Sequence, residues 1–342
     1  MNQTPLAPMG VGKLLDRSFE VYRQHFGAFF LMTLMLFGPF LLLQDILIFD
    51  LGSMSFFVQD TDGSDFWESM ASRFAAEEAV ATDQIGFLLL YLLVVLPLMS
   101  FGAYPQLLSG VILLTKAAIE GKELGIRDAL KQSFRRFWPL VGATIVYGLV
   151  IIGIVLGFML VCALFFFLFT LVSGATLDSL FEGDSGVGPI VFAIFFVIAY
   201  VLFLLVIMVV PGFFMLRWGF YLPYTLLEGD GVAIGKSWRL TQGNFWRLFG
   251  LYLVLIVLYS VLSGGLQAVI TASMGVSVIS QLILLVASCL LTPWMLIVYS
   301  LAYFDLRVRK EGTDLFSMLH QQMDKEQAIA PEPAQSPETS HE

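Results

Sequence analysis

A chain of 342 residues that is 58% hydrophobic and 13% charged, with 32 phenylalanines, has more apolar surface than one water-soluble core can hide. That excludes an ordinary soluble domain and makes this a multi-pass, all-α integral membrane protein. The formal net charge of -9 argues against nucleic acid as a partner, and the acids gather in a few connections and the tail rather than over the whole surface. Residues 1–9 are expected to be flexible and hold no basic n-region, so the first apolar run is a retained span and not a cleaved signal. An amphipathic helix follows, with Val11, Leu15, Phe19, Tyr22 and Phe26 at helical spacing. About 20 apolar residues cross roughly 30 Å of hydrocarbon, and six runs suffice: 28–49, 85–115, 140–173, 189–216, 248–271 and 281–304. Between the first two, Phe66, Trp67, Met70 and Phe74 predict a helix from Ser64 to Val80 floating on the outer leaflet. The third run, as a helix, overshoots a bilayer by about 20 Å. Past the last span, Leu315, Phe316, Leu319 and Met323 predict an amphipathic helix over 313–326, and the composition of 327–342 predicts a disordered tail.

The basic residues set the expected orientation. Seventeen of the eighteen Lys and Arg lie in 10–27, 116–138, 217–247 and from 305 onward, with Arg73 the exception, whereas connections 45–84 and 174–188 hold twelve acids. The positive-inside asymmetry puts both termini in the cytoplasm, and six spans agree with that parity.

One local pattern precedes each odd-numbered span. It reads Arg17-Ser18-Phe19, Gln132-Ser133-Phe134 and Lys236-Ser237-Trp238, and each even-numbered span is followed by Glu-Gly: Glu120-Gly121, Glu228-Gly229 and Glu311-Gly312. The chain therefore divides into three tandem units, 10–121, 122–229 and 230–312, each an amphipathic helix, a helical hairpin and a glycine stop. Two spans per unit make the units parallel, so a pseudo-threefold bundle is the expected packing. Ile126, Leu130, Phe134 and Phe137, and likewise Ile234, Trp238, Thr241, Phe245 and Leu248, repeat the apolar stripe. Such helices should lie in the inner interface, aromatic face toward acyl chains. Their cations form a candidate collar for anionic lipid headgroups or a protein partner: Lys13, Arg17, Arg23, Lys131, Arg135, Arg136, Lys236, Arg239, Arg247, Arg307 and Arg309.

Chemistry is hard to find in these residues. His25, His320 and His341 have no companions, Cys162 and Cys289 lie inside spans as small apolar fillers, and no Walker-type, HExxH or GxSxG pattern occurs. No ionisable side chain sits mid-bilayer, and Gln106 and Gln267 are explained by hydrogen bonds between helices. No catalytic residue, metal or cofactor is expected.

The stretch Tyr303-Phe304-Asp305-Leu306-Arg307-Val308-Arg309-Lys310-Glu311-Gly312 resembles the bacterial membrane-domain family found attached to glycerophosphodiester phosphodiesterases, which also has stand-alone members. Lys236-Ser237-Trp238-Arg239-Leu240-Thr241-Gln242-Gly243-Asn244-Phe245-Trp246 and Gly12-Lys13-Leu14-Leu15-Asp16-Arg17-Ser18-Phe19 share the likeness, which spans roughly 10–316. It implies a module of the bacterial inner membrane without the catalytic barrel. The leading expectation is a non-catalytic protein whose collar engages lipid or organises partners. Its rivals are a permease or lipid-moving protein with a central cavity, and an accessory subunit of a phosphodiesterase or other membrane enzyme.

Overall fold

In hydrocarbon every backbone donor must be satisfied within the protein, and a helix does this inside one segment. The structure, a computed structural model, describes residues 9–48, 85–181, 188–229, 233–275 and 277–329, and no strand occurs among them. In chain order the helices are α1 Val11–Gln24, α2 Phe26–Ile48, α3 Ile85–Leu90, α4 Tyr104–Ile119, α5 Ile126–Arg135, α6 Phe137–Phe181, α7 Gly188–Trp218, α8 Tyr221–Leu227, α9 Ile234–Thr241, α10 Phe245–Met274 and α11 Val278–Ile329. Among the described residues, five stretches are long and apolar enough to cross a membrane: Phe26–Ile48, Gly86–Ile119, Phe137–Leu164, Phe245–Met274 and Val278–Gly312. The expected fourth span falls in α7, where many side chains lie outside the described residues. The helix expected from Ser64 to Val80, residues 1–8 and the tail beyond Ile329 also lie outside them.

Three departures from the sequence reading have physical causes. The second span is interrupted by π-helical turns at Tyr91–Val95 and Leu98–Ala103, on either side of Pro97 and just ahead of Pro105. Proline gives the helical ladder no donor and crowds the carbonyl one turn earlier, and a wider turn relieves the crowding without breaking the span. Gly121 and Gly229 take positive φ, where a Cβ would be strained, but Gly312 does not stop its helix. There α11 continues to Ile329, so the last span and the C-terminal amphipathic helix are one element, braced by pairs one turn apart, Arg309 with Asp305 and Arg307 with Glu311. The third departure is α6, whose 45 residues continue beyond the expected end at 173 into the 174–188 connection as far as Phe181, a stretch without proline that leaves the helical ladder unbroken.

Helix α11 is the hub, packing against α1, α2, α4, α9 and α10 and burying Ile297, Leu301, Ala302 and Tyr303. Helices α2 and α4 meet closely at Gly110, where a Cβ would come within 2.6 Å of the Met32 sulfur. On the outside, Leu93, Leu160 and Val261 are each more than 60% exposed, an apolar surface that needs hydrocarbon around it.

Helix α1 packs lengthwise against α11. The Met9 amide reaches Asp305 while the Tyr22 hydroxyl reaches the Leu290 carbonyl at 2.6 Å, so α1 runs antiparallel alongside α11. Burial pushes the Tyr22 hydroxyl up to about 12, which keeps it a proton donor. The inward mark of each short helix is its serine. Ser18, Ser133 and Ser237 are all fully buried, whereas Phe19 and Phe134 beside them are about half exposed. A serine is small enough for close approach, and each one is satisfied by a long apolar helix next to it. Trp294 of α11 donates its indole N–H to Ser18 at 3.1 Å. Ser133 donates to Gln106 of α4 at 2.7 Å. Ser237 donates to the Arg217 carbonyl of α7 at 2.9 Å and accepts from the Phe220 amide at 3.0 Å. So α5 docks on the span before it, α9 does the same, and α1 docks on the last span, which closes the ring.

Gln106 thus makes the interhelical bond expected of it, while Gln267 is exposed. The Gln106 amide nitrogen has no partner among the described residues, so Ser133→Ala strips its carbonyl oxygen as well. We expect a loss of about 1 kcal/mol or more, read as a lower unfolding midpoint in detergent by circular dichroism.

Candidate functional site

Of the cations that the sequence grouped as a collar, about half are used inside the protein. Asp305, almost fully buried on α11, receives the Met9 amide at 2.7 Å, Arg247 at 2.6 Å and Arg309 at 3.0 Å. Both arginines also donate to the Met9 carbonyl. This clasp joins the start of the chain to α10 and α11, so Met9, read as part of a flexible terminus, is pinned. Nearby, Glu228 pairs with Lys236 at 3.2 Å and lies 3.9 Å from Arg307, whose main partner is Glu311 at 2.7 Å. Arg136 donates to the Thr225 and Leu226 carbonyls, at 3.2 and 2.7 Å, which neutralises the negative end of α8. Its guanidinium would lie 3.3 Å from a Cβ at Gly229, so this glycine is needed for space as well as for its positive φ.

The remaining collar cations face outward. Lys13, Arg23, Lys131, Arg135 and Arg239 are exposed, and Arg17 is about half exposed beside Glu20 at 2.8 Å. Exposed aromatic rings mark each junction between a short helix and its span: Phe26, then Trp138 at 79%, then Trp246 at 80%. Beyond the second span, Glu120 is held below the usual carboxylate range by the hydrogen bond from Lys122, with the Lys116 charge adding to it. It remains solvated.

Concavities among the described residues include the following two. One is a groove of about 630 Å³ lined by Val209, Val210, Phe213, Phe214 and Arg217 of α7 and by Gly243, Phe245 and Trp246 at the start of α10. The Arg217 guanidinium stacks over Trp238 at 4.5 Å and Phe213 at 5.1 Å, and its buried Nε has no hydrogen-bond partner among the described residues. The other is a cavity of about 190 Å³ where Tyr104, Tyr147, Tyr221, Tyr252 and Tyr299 converge from five helices. Three of these hydroxyls are spent, Tyr299 on the Gly219 carbonyl at 2.6 Å, Tyr221 on Thr144 at 3.1 Å and Tyr147 on the Met215 carbonyl at 3.4 Å.

Sequence reasoning missed Asp305 as a site residue, and also Arg217 and the tyrosines. No spacing rule brings Met9 to Asp305 or gathers five tyrosines. Arg217 did carry a signal, as a single cation closing an otherwise apolar run from Gly188. Among the described residues, no His, Cys, Asp and Glu group comes together that could hold a metal ion.

Comparison with known proteins matches residues 84–306 to the family model described as Domain of unknown function (DUF7847). No curated protein matches the chain. No solved structure matches it either.

Proposed function

This chain belongs to the family described as Domain of unknown function (DUF7847), and on that premise we propose that it is a non-catalytic bacterial inner-membrane protein that engages anionic lipid headgroups. In this reading it spans the bilayer six times as three tandem units with both termini in the cytoplasm. The observation that carries it is the outward pairing of cations with aromatic rings: Lys13, Arg23, Lys131, Arg135 and Arg239 stay in solvent while Trp138 and Trp246 stand exposed at the junctions. Aromatic rings favour the headgroup level, and each cation near an anionic surface contributes about 1 kcal/mol. The three docked serines support the threefold reading, because each short helix meets an even-numbered span through the same residue.

Native mass spectrometry from mixed micelles tests this. Phosphatidylglycerol should be retained over phosphatidylcholine, and the joint reversal Lys13→Glu, Lys131→Glu and Arg135→Glu should remove most of that preference. Equal retention of both lipids, or no change on reversal, would leave the cations with a topological role only.

The tyrosine-lined cavity is too small to carry the second reading, a permease or lipid-moving protein. At roughly 30 Å³ per water it holds only about six waters, and fully buried Leu107, Ile112, Ile297 and Leu301 fill the core around α4 and α11. The likeness of Tyr303 to Gly312 to membrane domains of phosphodiesterases supports a third role, as an accessory subunit beside a soluble enzyme.

A further inference from the structure

We infer that the groove at Arg217 is a site for one anionic glycerophospholipid, its phosphate on the guanidinium and an acyl chain against α7. The inference rests on the lipid-engaging reading and gives it a defined seat. Three observations converge. First, Arg217 has two ring faces but no carboxylate and no hydrogen-bond acceptor among the described residues, although its Nε is buried. A guanidinium presents five donors in a planar fork suited to phosphate, and a buried donor left unmade is costly. Second, the groove wall is one continuous stripe of α7, with Val209 and Val210, then Phe213 and Phe214, then Arg217, each about one turn apart. At 1.5 Å per residue the stripe runs about 12 Å from the cation into purely apolar surroundings, the polarity order of a phospholipid from headgroup to chain.

Third, the mouth of the groove lies at the junction between α9 and α10. Trp246 is exposed there, and Gly243 leaves the rim without a side chain. The Arg217 carbonyl is fixed by Ser237, so the side chain is aimed by backbone contacts that do not involve the guanidinium. A volume of about 630 Å³ falls within the roughly 300–1,000 Å³ of ligand sites in general. Alternatives of opposite character fit less well. A polar solute would meet six apolar or aromatic walls, a lipid without a phosphate would leave the guanidinium unpaired, and a zwitterionic lipid would bring its own choline cation beside it.

The full chain in detergent, delipidated and then titrated with phosphatidylglycerol or phosphatidylcholine, is the test, read by native mass spectrometry. One phosphatidylglycerol adduct should stand out above the loosely bound population. Arg217→Gln should weaken that adduct tenfold or more, Arg217→Lys should restore part of it, and Val210→Trp should exclude it by filling the groove while leaving the guanidinium in place. Unfolding midpoints of the variants show whether they are folded, and Val210→Trp keeps the test open should Arg217→Gln destabilise the protein. An adduct that survives both substitutions, or is equally abundant with phosphatidylcholine, overturns the groove site. The reversal of Lys13, Lys131 and Arg135 reports separately: it should thin the loose lipid population and leave the single adduct intact, so a failure of the collar and a failure of the groove give different spectra.

Discussion

Replacing Asp305 by alanine is expected to lower the stability of the folded bundle by about 3 to 5 kcal/mol, the largest single effect we anticipate. The carboxylate is 1% exposed and holds two guanidinium groups and a backbone amide at once. Removing it takes the counter-charge from Arg247 and Arg309, which are themselves only partly solvated. The converse is informative. Asp305→Leu combined with Arg247→Met and Arg309→Met should be much milder than Asp305→Ala, because taking both signs out of a buried pair removes the desolvation cost together with the attraction. Unfolding in mixed micelles, followed by circular dichroism, gives both numbers. A single Asp305→Ala that matches the wild type would show that the clasp contributes nothing.

The second large effect is expected where α2 meets α4. Gly110→Ala places a methyl group into space that the fully buried Met32 sulfur occupies, and overpacking of this kind costs about 1 to 3 kcal/mol. Met32→Ala alone leaves a void and should cost about 2 to 5 kcal/mol. Together the two should cost clearly less than their sum, since the shortened side chain vacates the place the new methyl needs. Strict additivity in that cycle would mean that the two positions do not touch.

Membrane spans were legible in the sequence because hydrocarbon thickness imposes a length, and the five matched spans fall close to the runs read from composition. The recurring serine was legible as a mark, but its direction was not. Periodicity weights the large residues and turns Phe19 and Phe134 toward acyl chains, and both are exposed; it does not show that the small serine beside each is the contact to the neighbouring helix. Gly312 was read as a stop from its company with Glu311, yet the two preceding ion pairs and the apolar residues beyond carry the helix through it. The collar was half legible. Lys and Arg near spans look alike in sequence, and only the fold separates Arg247 and Arg309, which hold Asp305, from Lys13 and Arg135, which are exposed and have no ion pair among the described residues.

The closure of α1 onto α11 carries a temporal consequence. Ser18 and Trp294 are 276 positions apart and Met9 and Asp305 are 296 apart, so α1 is made long before the helix that forms its main seat. Local pairings such as α5 on α4 are available far earlier. Assembly therefore proceeds as an open arc whose leading edge waits through nearly all of translation, and truncation anywhere ahead of Trp294 should leave that edge exposed to proteases.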